Sequence, residues 1–129
     1  MNDENDFYCG LNVDAGVAES VLSLELAQTL KVSSDKWNDI ETNVGRIYFL
    51  ENDEFDEQQR QDADNGFLFY RYKLEIQPKP DLGEENAINF VSKVLEHFWS
   101  LGHPATAACD YEEKLPRKGK YIPEQHQWN

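Results

Sequence analysis

The sequence predicts an α+β fold in which two helices pack on one face of a four-stranded antiparallel sheet. Three observations lead to this prediction: apolar and polar residues alternate along short segments, a long amphipathic helix lies in the second half, and each helix falls between two strands. A chain of 129 residues fits a single domain with one hydrophobic core. We expect the core to span residues 7–111 and residues 112–129 to form an irregular C-terminal segment.

The first half of the chain predicts a strand, a helix and a second strand. Apolar and polar residues alternate over residues 7–14, which is typical of a half-buried strand. Apolar residues then recur about every four positions over residues 16–30, as in an amphipathic helix. The polar stretch 31–43 is predicted to be a loop, and the nearly continuous apolar run 44–51 is predicted to be the second strand.

Residues 67–76 give the clearest strand signal in the chain. We expect Pro78 and Pro80 to end this strand, because proline cannot donate a hydrogen bond to a neighbouring strand. The alternation assigns two faces to it. One face carries Leu68, Tyr70, Tyr72, Leu74 and Ile76, and the other carries Phe67, Phe69, Arg71, Lys73 and Glu75.

A strong helix and a last strand follow. Asp81 and Glu84 have the spacing of a capping box at the start of the helix. Gly102 is predicted to close the helix in the left-handed conformation, and residues 105–111 are predicted to form the last strand. The apolar stripe of the helix consists of Ala87, Val91, Val94, Leu95, Phe98 and Leu101.

The order strand, helix, strand, strand, helix, strand is that of a ferredoxin-like βαββαβ fold. Right-handed crossovers would place both helices on one face, with the strands in the spatial order fourth, first, third, second. The other face must then meet solvent, the C-terminal segment or a partner. Phe67 and Phe69 would be a contact surface there, open to a second copy of the chain in a homodimer. Alternatively, the C-terminal segment with Tyr121 and Trp128 would fold over them.

The chain is strongly acidic. Its 25 acidic residues oppose 12 basic ones, which gives a formal net charge of −13. This charge disfavours binding to nucleic acids and to anionic membranes, and it favours a basic partner or a cation. No apolar run reaches the length of a membrane helix. Residues 1–6 carry three acids and no base, unlike an export signal, so we expect a cytoplasmic protein with reduced cysteines.

The acids concentrate between the second and third predicted strands. Seven acidic residues in this stretch oppose Arg60 alone, so most of them must face water or a partner. We interpret the stretch as a docking surface for a basic protein, with Phe55 as an apolar anchor. A merely solvated charged loop is the alternative interpretation. The seven acids are Glu51, Asp53, Glu54, Asp56, Glu57, Asp62 and Asp64.

A second acidic group follows the last predicted strand. Asp110, Glu112 and Glu113 lie where the sheet ends, so we expect them to be exposed and to extend the acidic surface. The basic residues just after them, from Lys114 to Lys120, are expected to pair locally with Glu112 and Glu113.

No motif in the sequence predicts catalysis, a metal site or a cofactor. The spacing from Asp62 to Gly66 does not fit a calcium loop, because glycine stands at the fifth position instead of the sixth. The three histidines show no zinc-ligand spacing. We expect Cys109 to be a structural core residue, because alternation places it on the same face as Ala105 and Ala107. Neighbouring carboxylates raise a thiol pKa, which disfavours a role as nucleophile. Cys9 is expected to lie near it on the first strand without forming a disulfide.

Three segments between residues 67 and 116 carry a resemblance to a known family: FLFYRYKLEIQPK, NAINFVSKVLEHFWSLG and PATAACDYEEKLP. Together they resemble the second half of small bacterial immunity proteins encoded beside polymorphic toxins, including contact-dependent inhibition and Rhs systems. The resemblance implies a cytoplasmic inhibitor that is not an enzyme and that neutralises one cognate toxin domain. Many such toxins are nucleases with basic clefts, which acidic side chains of the inhibitor could cover.

Two other classes of function stay open at this point. A ferredoxin-like regulatory domain that binds a small ligand is the principal alternative, and a ligand that raises the melting temperature would identify it. A small hydrolase or metal-dependent enzyme is disfavoured, because the sequence shows no pair of nucleophile and base and no set of metal ligands.

Overall fold

An antiparallel sheet carries both helices on one face. Across the described residues, 6–124, 126 and 128, the computed structural model shows a six-stranded sheet and two α-helices, which confirms the α+β class but not the predicted count of four strands. The strands lie in the order β2-β3-β4-β1-β5-β6, and all neighbours are antiparallel. The elements are β1 (Cys9–Val13), α1 (Glu19–Leu30), β2 (Ile40–Glu41), β3 (Gly45–Glu51), β4 (Tyr72–Pro78), α2 (Gly83–Ser100), β5 (Ala105–Ala108) and β6 (Lys120–Tyr121).

The two additional strands are short edge strands. In β2, Ile40 pairs with Ile47 of β3, and in β6, Tyr121 pairs with Ala105 of β5. Both strands lie in segments that the sequence predicts to be irregular. Two residues are too few to show an alternating pattern, so only their pairing with a longer neighbour identifies them as strands. Short edges also offer little free backbone to another chain.

The hydrophobic core lies between the helices and one face of the sheet. Along β1, Cys9, Leu11 and Val13 are buried, and the residues between them face the opposite side. Leu11 stands opposite Leu74 of β4 and Ala107 of β5, so one layer of side chains runs across the central strands. The helices close this layer with the buried residues Leu22, Leu26, Ala87, Phe90, Val91, Val94, Leu95 and Phe98.

Helix α2 differs from its prediction at both ends. It follows a single 3-10 turn, Pro80–Leu82, and no side chain caps it, so the predicted capping box of Asp81 and Glu84 is wrong. Leu101 is 47% exposed because the helix ends at Ser100, so Leu101 does not continue the buried stripe. Gly102 does adopt a left-handed φ of 85° directly after the helix end. Neither helix in the described part of the chain combines the length and apolar character needed to cross a bilayer.

Strand β4 is shifted relative to its prediction. It begins at Tyr72, because the preceding Gly66–Phe69 forms a 3-10 turn, and it continues through Pro78. Pro78 is tolerated because it lies beyond the pairing of β4 with β1, which ends at Ile76, so its missing N–H costs no hydrogen bond to β1. On the other side it stands opposite Gly45, where an added Cβ would lie only 2.7 Å from the proline Cα. The buried face of the strand is as predicted, and it contains Tyr72, Leu74 and Ile76.

His97 is a core residue of α2 and not a ligand of a metal cluster. Its Nδ1 lies 2.8 Å from the hydroxyl oxygen of Thr29 on α1, and its ring packs edge-on against Phe98. Burial, helped by the nearby His103, lowers the pKa of His97 to about 4 from its ordinary value of 6.5. The imidazole is therefore neutral at pH 7 and joins the two helices by one hydrogen bond.

Replacement of Phe98 by alanine should destabilise the fold by about 3–5 kcal/mol, because the fully buried ring leaves a cavity. Urea unfolding followed by circular dichroism measures this loss. The matched control is Leu101→Ala, which removes a half-exposed side chain three residues later and should change stability by less than about 0.5 kcal/mol. Equal losses in both variants would contradict the assignment of the core.

Stability should fall as the pH drops from 6.5 towards 4. In this window the unfolded chain protonates His97 while the folded protein leaves it neutral, so the unfolded state binds more protons. Replacing His97 with glutamine should make the pH dependence shallower by about 1 kcal/mol per pH unit. A nuclear magnetic resonance titration of the His97 ring in the folded protein checks the cause directly. A midpoint near 6.5 would contradict it.

Candidate interaction surface

The acidic stretch forms a folded cap at one end of the sheet. We call it the acidic connection, residues 51–71, because it leads from β3 into β4. It contains the 3-10 turns Gln59–Gln61 and Gly66–Phe69, and its two ends are tied together by the pairing of Glu51 with Tyr72. The stretch is therefore a folded segment with defined turns and not an open loop.

A buried ion pair anchors the acidic connection to the sheet. Arg60 and Asp14 are only 3% and 2% exposed, and Arg60 Nη1 lies 2.8 Å from Asp14 Oδ2. The other carboxylate oxygen of Asp14 accepts a hydrogen bond from the backbone N–H of Arg71 at 3.0 Å. Asp14 directly follows β1, so one carboxylate joins the centre of the sheet to both Arg60 and the end of the connection. Sequence reasoning did not identify Asp14; the one signal was the single arginine among seven acids.

Asn52 and Gly66 complete the anchoring. The side-chain amide of Asn52 donates to the carbonyl oxygens of Leu68 and Tyr70 at 2.9 and 2.7 Å, and its oxygen accepts from the N–H of Glu54. Gly66 lies so close to the main chain of Arg60 that an added Cβ would stand 2.3 Å from its carbonyl oxygen. These contacts fix the backbone on both sides of the acidic residues.

Two of the acids cap turns inside the connection. Asp56 accepts hydrogen bonds from the N–H groups of Gln59 and Gln58, and Asp62 accepts them from those of Asn65 and Asp64. These backbone donors, above all those of Gln59 and Asn65, hold the pKa of Asp56 and of Asp62 below the usual value. Both carboxylates are therefore charged and fixed in position.

The carboxylates of the acidic connection have no basic partners among the described residues, where no ion pair involves any of them. Lys120 approaches the connection, but its ammonium donates to the main-chain carbonyl of Asp64 and not to a carboxylate. Because Arg60 pairs with Asp14 in the interior, its charge is directed away from the exposed carboxylates of the connection. Glu51, Asp53, Glu54, Glu57, Asp62 and Asp64 are all exposed, and Asp56 is half-buried.

Phe55, predicted as an apolar anchor for a partner, is half-buried and already in contact with two arginines. The guanidinium groups of Arg71 and Arg60 lie 4.3 and 5.3 Å from the centre of its ring. Such cation–π contacts hold the ring against its own chain. Phe55 therefore supports the acidic connection from within, and only part of its surface is left for a partner.

The acidic connection covers part of the open sheet face. Asn12 of β1 donates from its side-chain amide to the carbonyl oxygen of Phe67 at 2.8 Å. Of the described C-terminal residues, Lys120 lies over the ring of Phe67 at 5.7 Å, whereas Tyr121 contacts Trp99 of α2 edge-on and Trp128 contacts Tyr70. Phe67 and Phe69 lie in a 3-10 turn and not on a strand face, which corrects the predicted contact surface.

A pocket of about 340 Å³ remains between the acidic connection and the open sheet face. Glu54 and Phe67 line it from the connection, and Tyr8 and Glu75 line it from the sheet side. Thr106 also lines it, and the buried hydroxyl of this residue has no hydrogen-bond partner within the described part of the chain. The pocket therefore brings together two carboxylates, two aromatic rings, the ammonium of Lys73 and an unused hydroxyl.

The second acidic group follows β5. Asp110 and Glu113 are exposed as predicted, whereas Glu112 is half-buried and accepts a hydrogen bond from the N–H of Cys109 at 3.1 Å. The basic residues after them do not pair with Glu112 or Glu113, contrary to expectation. Lys114 pairs with Glu84 of α2 at 3.0 Å, and Arg117 stacks on Tyr121.

Comparisons of the chain with protein-family models, with curated proteins and with solved structures found no match. Among the residues that the structure describes, no group of three or more histidine, cysteine, aspartate or glutamate side chains could hold a metal ion. The acidic connection is therefore the candidate functional surface on geometry and charge alone.

Breaking the buried ion pair should be far more costly than breaking an exposed one. Arg60→Met leaves the Asp14 carboxylate buried without its partner, so we expect a loss of about 3–5 kcal/mol in the free energy of unfolding. The matched control, Lys114→Met, removes the exposed pair with Glu84 and should cost at most about 1 kcal/mol. Similar losses in the two variants, measured by urea unfolding, would show that Arg60 does not anchor the connection.

Proposed function

We propose that this chain is an immunity protein that binds one cognate toxin acting in the cytoplasm, a nuclease, and neutralises it by covering its basic active-site surface. The observation that supports this proposal is the acidic connection, where seven carboxylates are carried on an anchored backbone and lack basic partners among the described residues. Nuclease clefts are lined with lysine and arginine because their substrates carry phosphates. A surface of fixed carboxylates is complementary to such a cleft.

The fixed backbone of the acidic connection favours tight binding of the proposed partner. A flexible acidic loop would lose conformational freedom on binding, whereas a connection already held by Asp14, Asn52 and Gly66 loses less. Long-range attraction between opposite fields also raises the association rate. The proposed surface consists of Asp53, Glu54, Asp56, Glu57, Asp62 and Asp64, with part of Phe55, and it is extended by Asp110, Glu112 and Glu113.

We also propose that the fold is a ferredoxin-like one with two added edge strands. Without β2 and β6, the sheet order is β3-β4-β1-β5. This is the fourth-first-third-second arrangement read from the opposite edge, and the helices follow its first and third strands. The proposed activity is binding alone, without catalysis or a cofactor. Docking of a second copy would have to use the part of the open face that the acidic connection leaves uncovered.

A groove between the helices supports the alternative of a small-ligand-binding domain. It measures about 560 Å³ and lies beside the C-terminal end of α1. Polar groups such as those of Lys31, Asn86 and Lys93 line it. A metabolite that binds there would raise the melting temperature of the chain without any protein partner.

Neutralising four acids of the connection should slow association with the toxin at least about tenfold at low salt. The variant carries Asp53→Asn, Glu54→Gln, Asp56→Asn and Glu57→Gln, and the new amide at position 56 keeps an oxygen that can cap the turn. The partner for this measurement is the toxin nuclease domain that the proposal predicts, to be sought in the reading frame next to the gene for this chain. Stopped-flow mixing at several salt concentrations gives the association rate, and an assay of the toxin's nuclease activity gives the stoichiometry of inhibition.

The control removes the same charge from another surface. Asp81→Asn, Glu84→Gln, Glu85→Gln and Glu96→Gln neutralise four exposed acids on and beside α2. This variant should slow association much less. Equal slowing in both variants would mean that net charge alone matters, and an unchanged rate in the first variant would remove the acidic connection from the binding surface.

A further inference from the structure

Cys9 begins β1, and Cys109 directly follows β5, the strand that pairs with β1. In the pairing of β1 with β5, Gly10 stands opposite Ala108 and Leu11 stands opposite Ala107. One further step in the same register brings Cys9 opposite Cys109. Residues directly opposite each other in antiparallel strands have Cα atoms about 4.5–5.5 Å apart, which lies within the range of about 4.4–6.8 Å that disulfides span.

A second contact holds these segments together next to the thiols. The hydroxyl of Tyr111 donates to the carbonyl oxygen of Phe7 at 2.7 Å, and the two rings meet edge-on. Residues 7–9 and 109–111 are therefore joined beyond the end of the regular ladder. Both thiols are free, and Cys9 is buried whereas Cys109 is partly exposed.

We propose that Cys9 and Cys109 form a redox-active dithiol, in which the accessible Cys109 reacts first with an oxidant and the buried Cys9 then closes an intramolecular disulfide. This inference rests on the register and the burial of the two cysteines, and it is independent of the proposed function. It replaces the expectation that Cys109 is an inert core residue.

The two thiols differ in pKa, and the difference favours Cys109 as the first to react. The Cys9 thiol interacts with the Cys109 sulfur, which raises the pKa of Cys9 and lowers the pKa of Cys109. Burial opposes this effect by raising the pKa of Cys109. A hydrogen bond from the backbone N–H of Tyr111 lowers it further, and Glu112 and Asp110 raise it to a lesser extent. The neighbouring carboxylates do raise the pKa of Cys109, as the sequence predicts, but the interaction with Cys9 is the larger effect, and the pKa of Cys109 is lowered overall.

With hydrogen peroxide as the oxidant, the chemistry has two steps. The Cys109 thiolate attacks one peroxide oxygen, an S–O bond forms as the O–O bond breaks, and the released hydroxide takes up a proton to become water. Cys9 then attacks the Cys109 sulfur, so that the S–S bond forms as the S–O bond breaks. The departing hydroxide takes the proton of the Cys9 thiol, and the sum is one disulfide and two waters for one peroxide.

The test treats the full chain with hydrogen peroxide and measures the intact mass without reductant. We expect a loss of two hydrogen atoms per chain and, after proteolysis, one peptide pair that joins Cys9 to Cys109. The oxidised chain should melt higher than the reduced chain by roughly 5 °C or more, because the bond closes a long loop. Added dithiothreitol should reverse both changes.

Two single-cysteine variants and the rate of thiol alkylation test which cysteine reacts first. Cys109→Ser should abolish the mass change. In Cys9→Ala no intramolecular disulfide can form, so peroxide should only add oxygen atoms to Cys109. In the reduced native chain, iodoacetamide should modify Cys109 at least about ten times faster than Cys9. Disulfide-linked dimers, oxygen addition at Cys109 in the wild-type chain, or failure of both thiols to react would each overturn the proposal.

Discussion

The buried pair of Asp14 and Arg60 is the interaction on which the acidic surface depends. A buried charged group is stable only when it has close ion-pair or hydrogen-bond partners. The Asp14 carboxylate is contacted by Nη1 of Arg60 and by the backbone N–H of Arg71. Because Arg60 and Arg71 lie in the acidic connection while Asp14 directly follows β1, the pair fixes the path of the connection across the end of the sheet. His126 lies beside the pair, 3.8 Å from Asp14, so part of the C-terminal segment also packs against it.

This arrangement separates the charge that holds the fold from the charge that faces outward. An exposed arginine among seven acids would neutralise part of them, whereas a buried one stabilises the backbone and leaves the field of the surface intact. Repulsion among the carboxylates then has to be offset within the connection. Asp56 and Asp62 contribute to this by accepting backbone hydrogen bonds, which favour their charged form. The proposed recognition of a basic protein and the stability of the cap thus use different residues of one segment.

The two faces of the sheet have different roles. One face holds the core, together with a neutral His97 that links the helices, and it tolerates little change. The other face is shared by the acidic connection and a pocket in which the Thr106 hydroxyl has no partner within the described residues. The C-terminal segment packs at two places: Tyr121 of edge strand β6 contacts Trp99, and Trp128 contacts Tyr70 and Arg60 of the acidic connection. The proposed dithiol of Cys9 and Cys109 lies at the opposite end of β1 from Asp14, so oxidation there would not disturb the anchor directly.

The sequence by itself determined the class of the fold, the longer strands, both helices and the concentration of acids in one segment. These features depend on local periodicity and composition, as in the buried face of Tyr72, Leu74 and Ile76. Only the tertiary structure decided that Phe67 lies in a turn, that Ile40 and Tyr121 belong to edge strands, and that Asp14 meets Arg60. The turn at Phe67 and the two-residue edge strands are too short to leave a periodic pattern, and Asp14 and Arg60 are separated by 46 positions, so no local pattern in the sequence connects them.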